Sequence, residues 1–200
     1  MPIRSTLFAI ALLFSLALRA QPADSPALGS REGRLVKSVL LQGMAGQTVY
    51  GGAEKGYGAE LSLLRNLGSD WRAGIGAGFN RFGYGEQKRL VPLYAEAQWA
   101  PLGWKRHIPY LLANTGYSWA WKNKDSAYRE LRGGLRLHLA TGLRWNLFKK
   151  SELRSEIGVV RQSVHSEQDF FWWGGPSGEE NFSRETLRMN RWVLRVGYSF

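Results

Sequence analysis

The sequence predicts an all-β chain, a closed eight-stranded antiparallel up-and-down transmembrane β-barrel. Three observations carry that expectation. Residues 187–200 alternate by parity: Phe200, Tyr198, Val196, Leu194 and Trp192 on one face, Ser199, Gly197, Arg195, Val193 and Arg191 on the other. A period of two over ten or more residues places successive side chains on opposite faces of a strand. The same rhythm recurs upstream, in segments that turn signals divide into eight. The connections between them alternate short and long, which suits a membrane barrel with short turns at one rim and long loops at the other.

Residues 1–20 precede the barrel as a separate unit. Met1–Arg4 is basic, residues 7–18 form an apolar run, and Arg19-Ala20-Gln21 supplies a small residue at a cleavage point. The run is too short to span a bilayer and has the flanks of a secretory signal peptide. Its removal takes Arg4 and Arg19 away, lowering the net charge from +11 to about +9. Residues 21–34, rich in Pro, Ala, Ser and Gly, read as an unstructured periplasmic lead-in.

The barrel, 35–200, divides in order. Strand one covers 35–48 and its facing is open. A Gly-rich loop, 50–56, precedes strand two at 57–67, which sets Tyr57, Ala59, Leu61 and Leu63 against Gly58, Glu60, Ser62 and Asn66. After the turn Gly68-Ser69-Asp70, strand three (71–82) sets Trp71, Ala73, Ile75, Ala77 and Phe79 against Arg72, Gly74, Gly76, Gly78 and Asn80. Strand four (88–100) sets Val91, Leu93, Ala95, Ala97 and Trp99 against Pro92, Tyr94, Glu96 and Gln98. Strand five (107–121) shows Leu111, Ala113, Thr115, Tyr117 and Trp119 against Asn114, Gly116 and Ser118. Strand six (131–148) is the cleanest: Leu135, Leu137, Leu139, Thr141, Leu143, Trp145 and Leu147 against Arg136, His138, Ala140, Gly142, Arg144 and Asn146. Strand seven (152–165) sets Leu153, Ser155, Ile157 and Val159 against Glu152, Arg154, Glu156 and Gly158, and a loop over 166–185 leads to strand eight.

Placing the charged faces outward would cost roughly 2–4 kcal/mol for each arginine at mid-depth. They therefore face the lumen, where Glu60, Glu96, Glu152 and Glu156 neutralise Arg72, Arg136, Arg144, Arg154, Arg191 and Arg195. Glu156 and Arg195, on adjacent strands, are the first pair expected. Eight strands enclose only enough room for side chains, so the network is a structural, charge-paired plug; surplus arginine lining a narrow anion pore is the alternative. Trp71, Trp99, Trp145 and Tyr198 fall near the periplasmic rim, and Tyr57, Phe79, Trp119 and Trp192 near the outer one.

The terminal pattern, with Tyr198 and Phe200, resembles the C-terminal insertion signal of bacterial outer-membrane barrels. The whole of 35–200 resembles the small eight-stranded class of OmpA-transmembrane, OmpX and OmpW type. That resemblance implies a Gram-negative outer-membrane location, a monomer, contact with outer-membrane lipid and lipopolysaccharide, and insertion through the barrel assembly machinery. The class includes lipid A deacylases bearing a His-x-Ser pair and a Glu near the outer rim. Here the order is reversed, Ser163-x-His165, with Glu167 nearby, making these three the candidate catalytic group of a hydrolase. Phe170, Phe171, Trp172 and Trp173 offer either a surface for a partner or glycan, or packing against the rim and lipid.

Composition closes other routes. Hydrophobic residues at 44% and aromatics at 13% exclude disorder. With no Cys there is no disulfide, no thiolate chemistry and no lipid-modified cysteine. The basic balance comes with no nucleic-acid motif. No His, Asp or Glu spacing indicates a metal, no Gly-rich turn opens a helix to hold a nucleotide, and no cofactor is expected.

Overall fold

The structure is a computed structural model, and it describes residues 33–47, 52–83, 88–101, 107–121, 128–148, 151–169 and 182–200. The signal peptide, all but the last two residues of the lead-in, and the Phe170–Trp173 aromatics lie outside the described residues.

Among the described residues nine hydrogen-bonded segments form one sheet: β1 (Leu35–Gln47), β2 (Ala53–Asn66), β3 (Trp71–Phe82), β4 (Lys88–Trp99), β5 (His107–Trp121), β6 (Tyr128–Arg132), β7 (Gly134–Phe148), β8 (Ser151–Asp169) and β9 (Phe182–Ser199). Every neighbouring pair is antiparallel. β6 and β7 are one stave interrupted at Gly133, so eight staves make the wall. The sheet closes where β1 pairs with β9, from Ser38↔Ser199 to Gly46↔Arg191, and Lys37 exchanges both backbone hydrogen bonds with Phe200 at 3.0 and 2.9 Å. Closure leaves no sheet edge to be solvated within a bilayer. The interruption at Gly133 has a steric cause. A Cβ there would stand 1.7 Å from the Ser118 carbonyl oxygen, so only glycine lets the stave pass β5 and bend away.

The expected facings hold along all seven staves for which they were drawn, and β1 sets Val36, Ser38, Leu40, Gln42 and Met44 inward. Outward positions carry Leu41, Leu61, Ile75, Leu93, Leu111, Leu137, Leu139, Ile157 and Leu194, all exposed as large apolar side chains. A soluble protein would not leave that continuous a belt open to water. Aromatics bracket it. Trp71 stacks on Trp99 at 6.1 Å between ring centroids at the rim that carries both barrel ends, where Tyr198 lies 6.3 Å from Phe200. Tyr117 meets Trp119 edge-on at 5.4 Å toward the opposite rim.

Three boundaries differ from the sequence reading. β2 begins at Ala53, which draws Glu54 out of the expected loop and into the wall. β8 runs to Asp169 and β9 starts at Phe182, so residues 166–169 and 182–185 stand in a ladder rather than a loop. β6 adds a rung set, Tyr128–Arg132, beside the outer end of β8. The reason is common to all three. Beyond the apolar belt the outer face of a strand meets water rather than hydrocarbon, so outward positions turn polar and the apolar–polar alternation that marks the strand fades while its hydrogen bonds continue.

Candidate functional site: the filled lumen and the far rim

Parity delivers the charged side chains to the interior, and there they pack in layers. All six arginines of the inner face are at most 2% exposed. Nearest the barrel ends, Arg72 grips Glu152 through two parallel bonds of 2.7 Å, while its Nε donates to Asn66 Oδ1 at 2.8 Å. Arg144 lies over the Tyr110 ring, 4.9 Å from its centroid. Ala100, Ile108, Tyr110 and Leu112 make an apolar layer beside this pair.

The middle of the lumen is a single hydrogen-bonded net. Glu60 accepts from Arg136 at 2.7 Å, Arg195 at 2.9 Å, the Tyr94 hydroxyl at 2.9 Å and the Gln42 amide at 2.8 Å. Glu156 is the direct cross-strand partner of Arg195 and forms an ion pair with it, while also accepting from Arg154 and the Tyr110 hydroxyl. Arg154 reaches Glu96 at 3.3 Å and donates to Ser38 Oγ at 3.0 Å. His138 sits at 0% exposure with its Nδ1 3.1 Å from the Asn114 amide. Such pairing is the condition for burying charge, since an unpaired guanidinium here would lose its hydration with nothing in return.

Above the net, Met44, Phe82, Leu90, Leu131, Val160, Val164, Leu187, Met189 and Val193 fill the lumen toward the far rim. Arg191 enters this layer with Glu54 as its ion partner and its guanidinium 3.8 Å above the Phe82 ring.

The ten charged residues named from the sequence thus all reach the interior and distribute among three clusters. Glu54 is missed in the sequence reading because that segment reads as loop. Tyr110 and Gln42 are not assigned there, and Tyr94 and Gln98 are placed inward without a role. A signal for the tyrosines was present: Tyr94 is registered against Gly76 and Gly116, and Tyr110 against Gly142. A Cβ on Gly76 would stand 2.4 Å from the Tyr94 ring, and one on Gly142 2.7 Å from that of Tyr110. Each ring lies across a neighbouring strand where a side chain is missing.

The hydrolase candidates occupy the outer face at the far rim. Ser163, His165 and Glu167 share one face of β8 by parity. His165 Nδ1 is 2.9 Å from Thr186 Oγ1, Glu167 accepts from Arg184 at 2.6 Å, and Ser163 is registered against Arg188. No hydrogen bond joins Ser163 to His165, so serine, base and carboxylate are not assembled as a relay. His165, Glu167, Arg184 and Thr186, but not Ser163, line a shallow cavity of about 400 Å³ with Glu130 and Arg132. There the hydrogen bond from Arg132 holds the Glu130 carboxyl below its usual range. Among the described residues no cluster of His, Asp and Glu is suited to a metal ion.

Comparison with solved structures decides the architecture. The outer membrane protein OprG from Pseudomonas aeruginosa aligns with a TM-score of 0.60 at 10% identity, over 84% of this chain and 95% of that one. The outer membrane protein AlkL aligns at 0.59 with 14% identity, over 90% and 95%. Neisserial surface protein A aligns at 0.57 with 14% identity, over 84% and 97%. The chain has the fold of the small eight-stranded outer-membrane barrels. No family model and no curated sequence matches it. At these identities the likeness concerns the outer-membrane barrel fold, and function rests on the residues above.

Proposed function

We propose that this protein is a non-enzymatic outer-membrane barrel with a closed lumen, acting through its rims and its lipid-facing wall in surface interaction or envelope integrity. The rim bearing both barrel ends faces the periplasm, and the far rim faces outward. The observation that carries this reading is the filled interior: among the described residues, five glutamates and six arginines gathered in three clusters, with apolar layers packed between and beside them. Side chains committed to one another in that way leave no transport path and no free acid–base pair. In this reading residues 1–20 are removed on export, residues 21–34 remain in the periplasm, and the Tyr198–Phe200 terminus is read by the assembly machinery. The barrel works as a monomer, since its sheet is already closed on itself.

Fractionation tests it. The full chain is expected in the outer membrane, migrating faster on a gel when unheated than after boiling, with intact-cell protease cutting only the far-rim connections. Recovery in the soluble periplasm, or cleavage of the chain at residues 149–150 from outside, would overturn it.

A further inference from the structure

Among the described residues, one part of the outer wall has no counter-charge of its own. Arg81 on β3 and Arg89 on β4 are direct cross-strand partners, both on the lipid-facing side and half-buried. Like charges directly opposite one another destabilise a ladder. Arg81 donates to the Tyr57 hydroxyl at 3.1 Å, and Tyr57 is registered beside it on β2. Lys55, exposed on the same outward parity two residues further along β2, adds a third cation. No acidic side chain among the described residues pairs with these three. The opposite wall is built differently: there Arg132 and Arg184 are matched by Glu130 and Glu167 at 2.6 Å each, and Arg161 and Arg188, which have no acidic partner among the described residues, stand opposite Asn190 and Ser163 rather than opposite each other.

Depth gives the site its meaning. Phe79 and Val91 are the outward residues one step nearer the belt, so the two guanidiniums stand where the apolar wall ends. Arginine suits that border, its stem lying along apolar surface and its head reaching the polar layer. A ligand there must be anionic, presented at head-group depth, and carry more than one negative charge to balance three cations. A phosphate monoester carries about −1.5 to −2 near neutral pH, whereas a phosphodiester carries one.

We propose that Lys55, Tyr57, Arg81 and Arg89 form a binding site for the phosphomonoester head group of an outer-leaflet glycolipid, whose acyl chains lie down the apolar wall beside Phe79. The site rests on the outward orientation proposed above. It is tested in detergent with purified full-length folded protein, so its failure is separable from a failure of localisation.

The probe is diphosphorylated lipid A, with fully dephosphorylated lipid A and inorganic phosphate as comparisons, and retention read by native mass spectrometry. Wild type is expected to hold one diphosphorylated lipid A. Arg81→Gln with Arg89→Gln is expected to bind at least about tenfold more weakly, through loss of charge-assisted bonds. The pair Arg161→Gln with Arg188→Gln on the other wall is expected to bind as wild type does. Lipid-free, Arg89→Gln is expected to melt at the wild-type temperature or above, because repulsion is relieved; with lipid A present it melts below wild type. Equal binding of dephosphorylated lipid A, equal loss in the two double variants, binding of inorganic phosphate alone, or a lower lipid-free melting temperature for Arg89→Gln would each overturn the site.

Discussion

Glu60 is the residue on which most of the interior converges, with two guanidiniums, a phenol and an amide on one carboxylate. Replacing it by Gln leaves Arg136 and Arg195 buried with a neutral acceptor. A loss of about 3–5 kcal/mol is expected, as for other one-sided breaks of buried pairs, measured by denaturant unfolding of the detergent-folded barrel. The two-sided exchange is the informative control. Arg72→Met with Glu152→Leu removes both members of the bidentate pair, and it should cost less than Glu152→Leu alone, since only the neighbouring Arg144 loses Glu152's charge whereas the single variant strands Arg72 as well. At the far rim His165→Ala removes only the bond to Thr186. Cells carrying it, or Ser163→Ala, should show an unchanged lipid A mass spectrum; a shifted spectrum would reinstate the hydrolase.

Among the elements, β9 was the most legible and β2 the least, for a physical reason. Between Trp192 and Phe200 one face meets hydrocarbon and the other a charged lumen, so each side chain is dictated by its parity. At the start of β2, Ala53 to Gly56, the outer face meets solvent instead of hydrocarbon and no large apolar side chain marks it, so the same hydrogen bonds leave no pattern to read. The ionic net was legible as a set of residues because burying arginine demands glutamate nearby. Its division into clusters was not, because that depends on how strand stagger lifts Glu60 toward Arg136, 76 positions away in sequence. β9 also closes the barrel, with Phe200 paired to Lys37 as the last rung. Deleting residues 198–200 removes that rung together with the Val39↔Tyr198 and Ser38↔Ser199 pairs. The truncated chain is expected to lose the fast-migrating unheated form on refolding into vesicles, and full retention of that form would show that closure does not depend on these rungs.

At the level of the whole molecule, the interior in the closed-lumen proposal is an excess of cation over anion held shut by layering. Six arginines and five glutamates leave about one net positive charge inside, which by itself would favour anions entering. In that proposal entry is opposed at three depths: the apolar layer around Phe82 and Met189, the net around Glu60 and Glu156, and the Arg72–Glu152 clasp beside Ile108 and Leu112. An ion crossing would have to part bidentate and multiply bonded pairs in a space too narrow to hydrate what it separates. In planar bilayers the wild-type barrel is therefore expected to give no discrete conductance steps above background. Met44→Ala with Phe82→Ala should also be silent, because trimming one layer leaves the two charged ones closed. Anion-selective steps in the wild type would show that the arginines line a pore and would end the closed-lumen reading. Steps appearing only in the trimmed variant would place the seal in the apolar layer alone, with the ionic net beneath it already permeable.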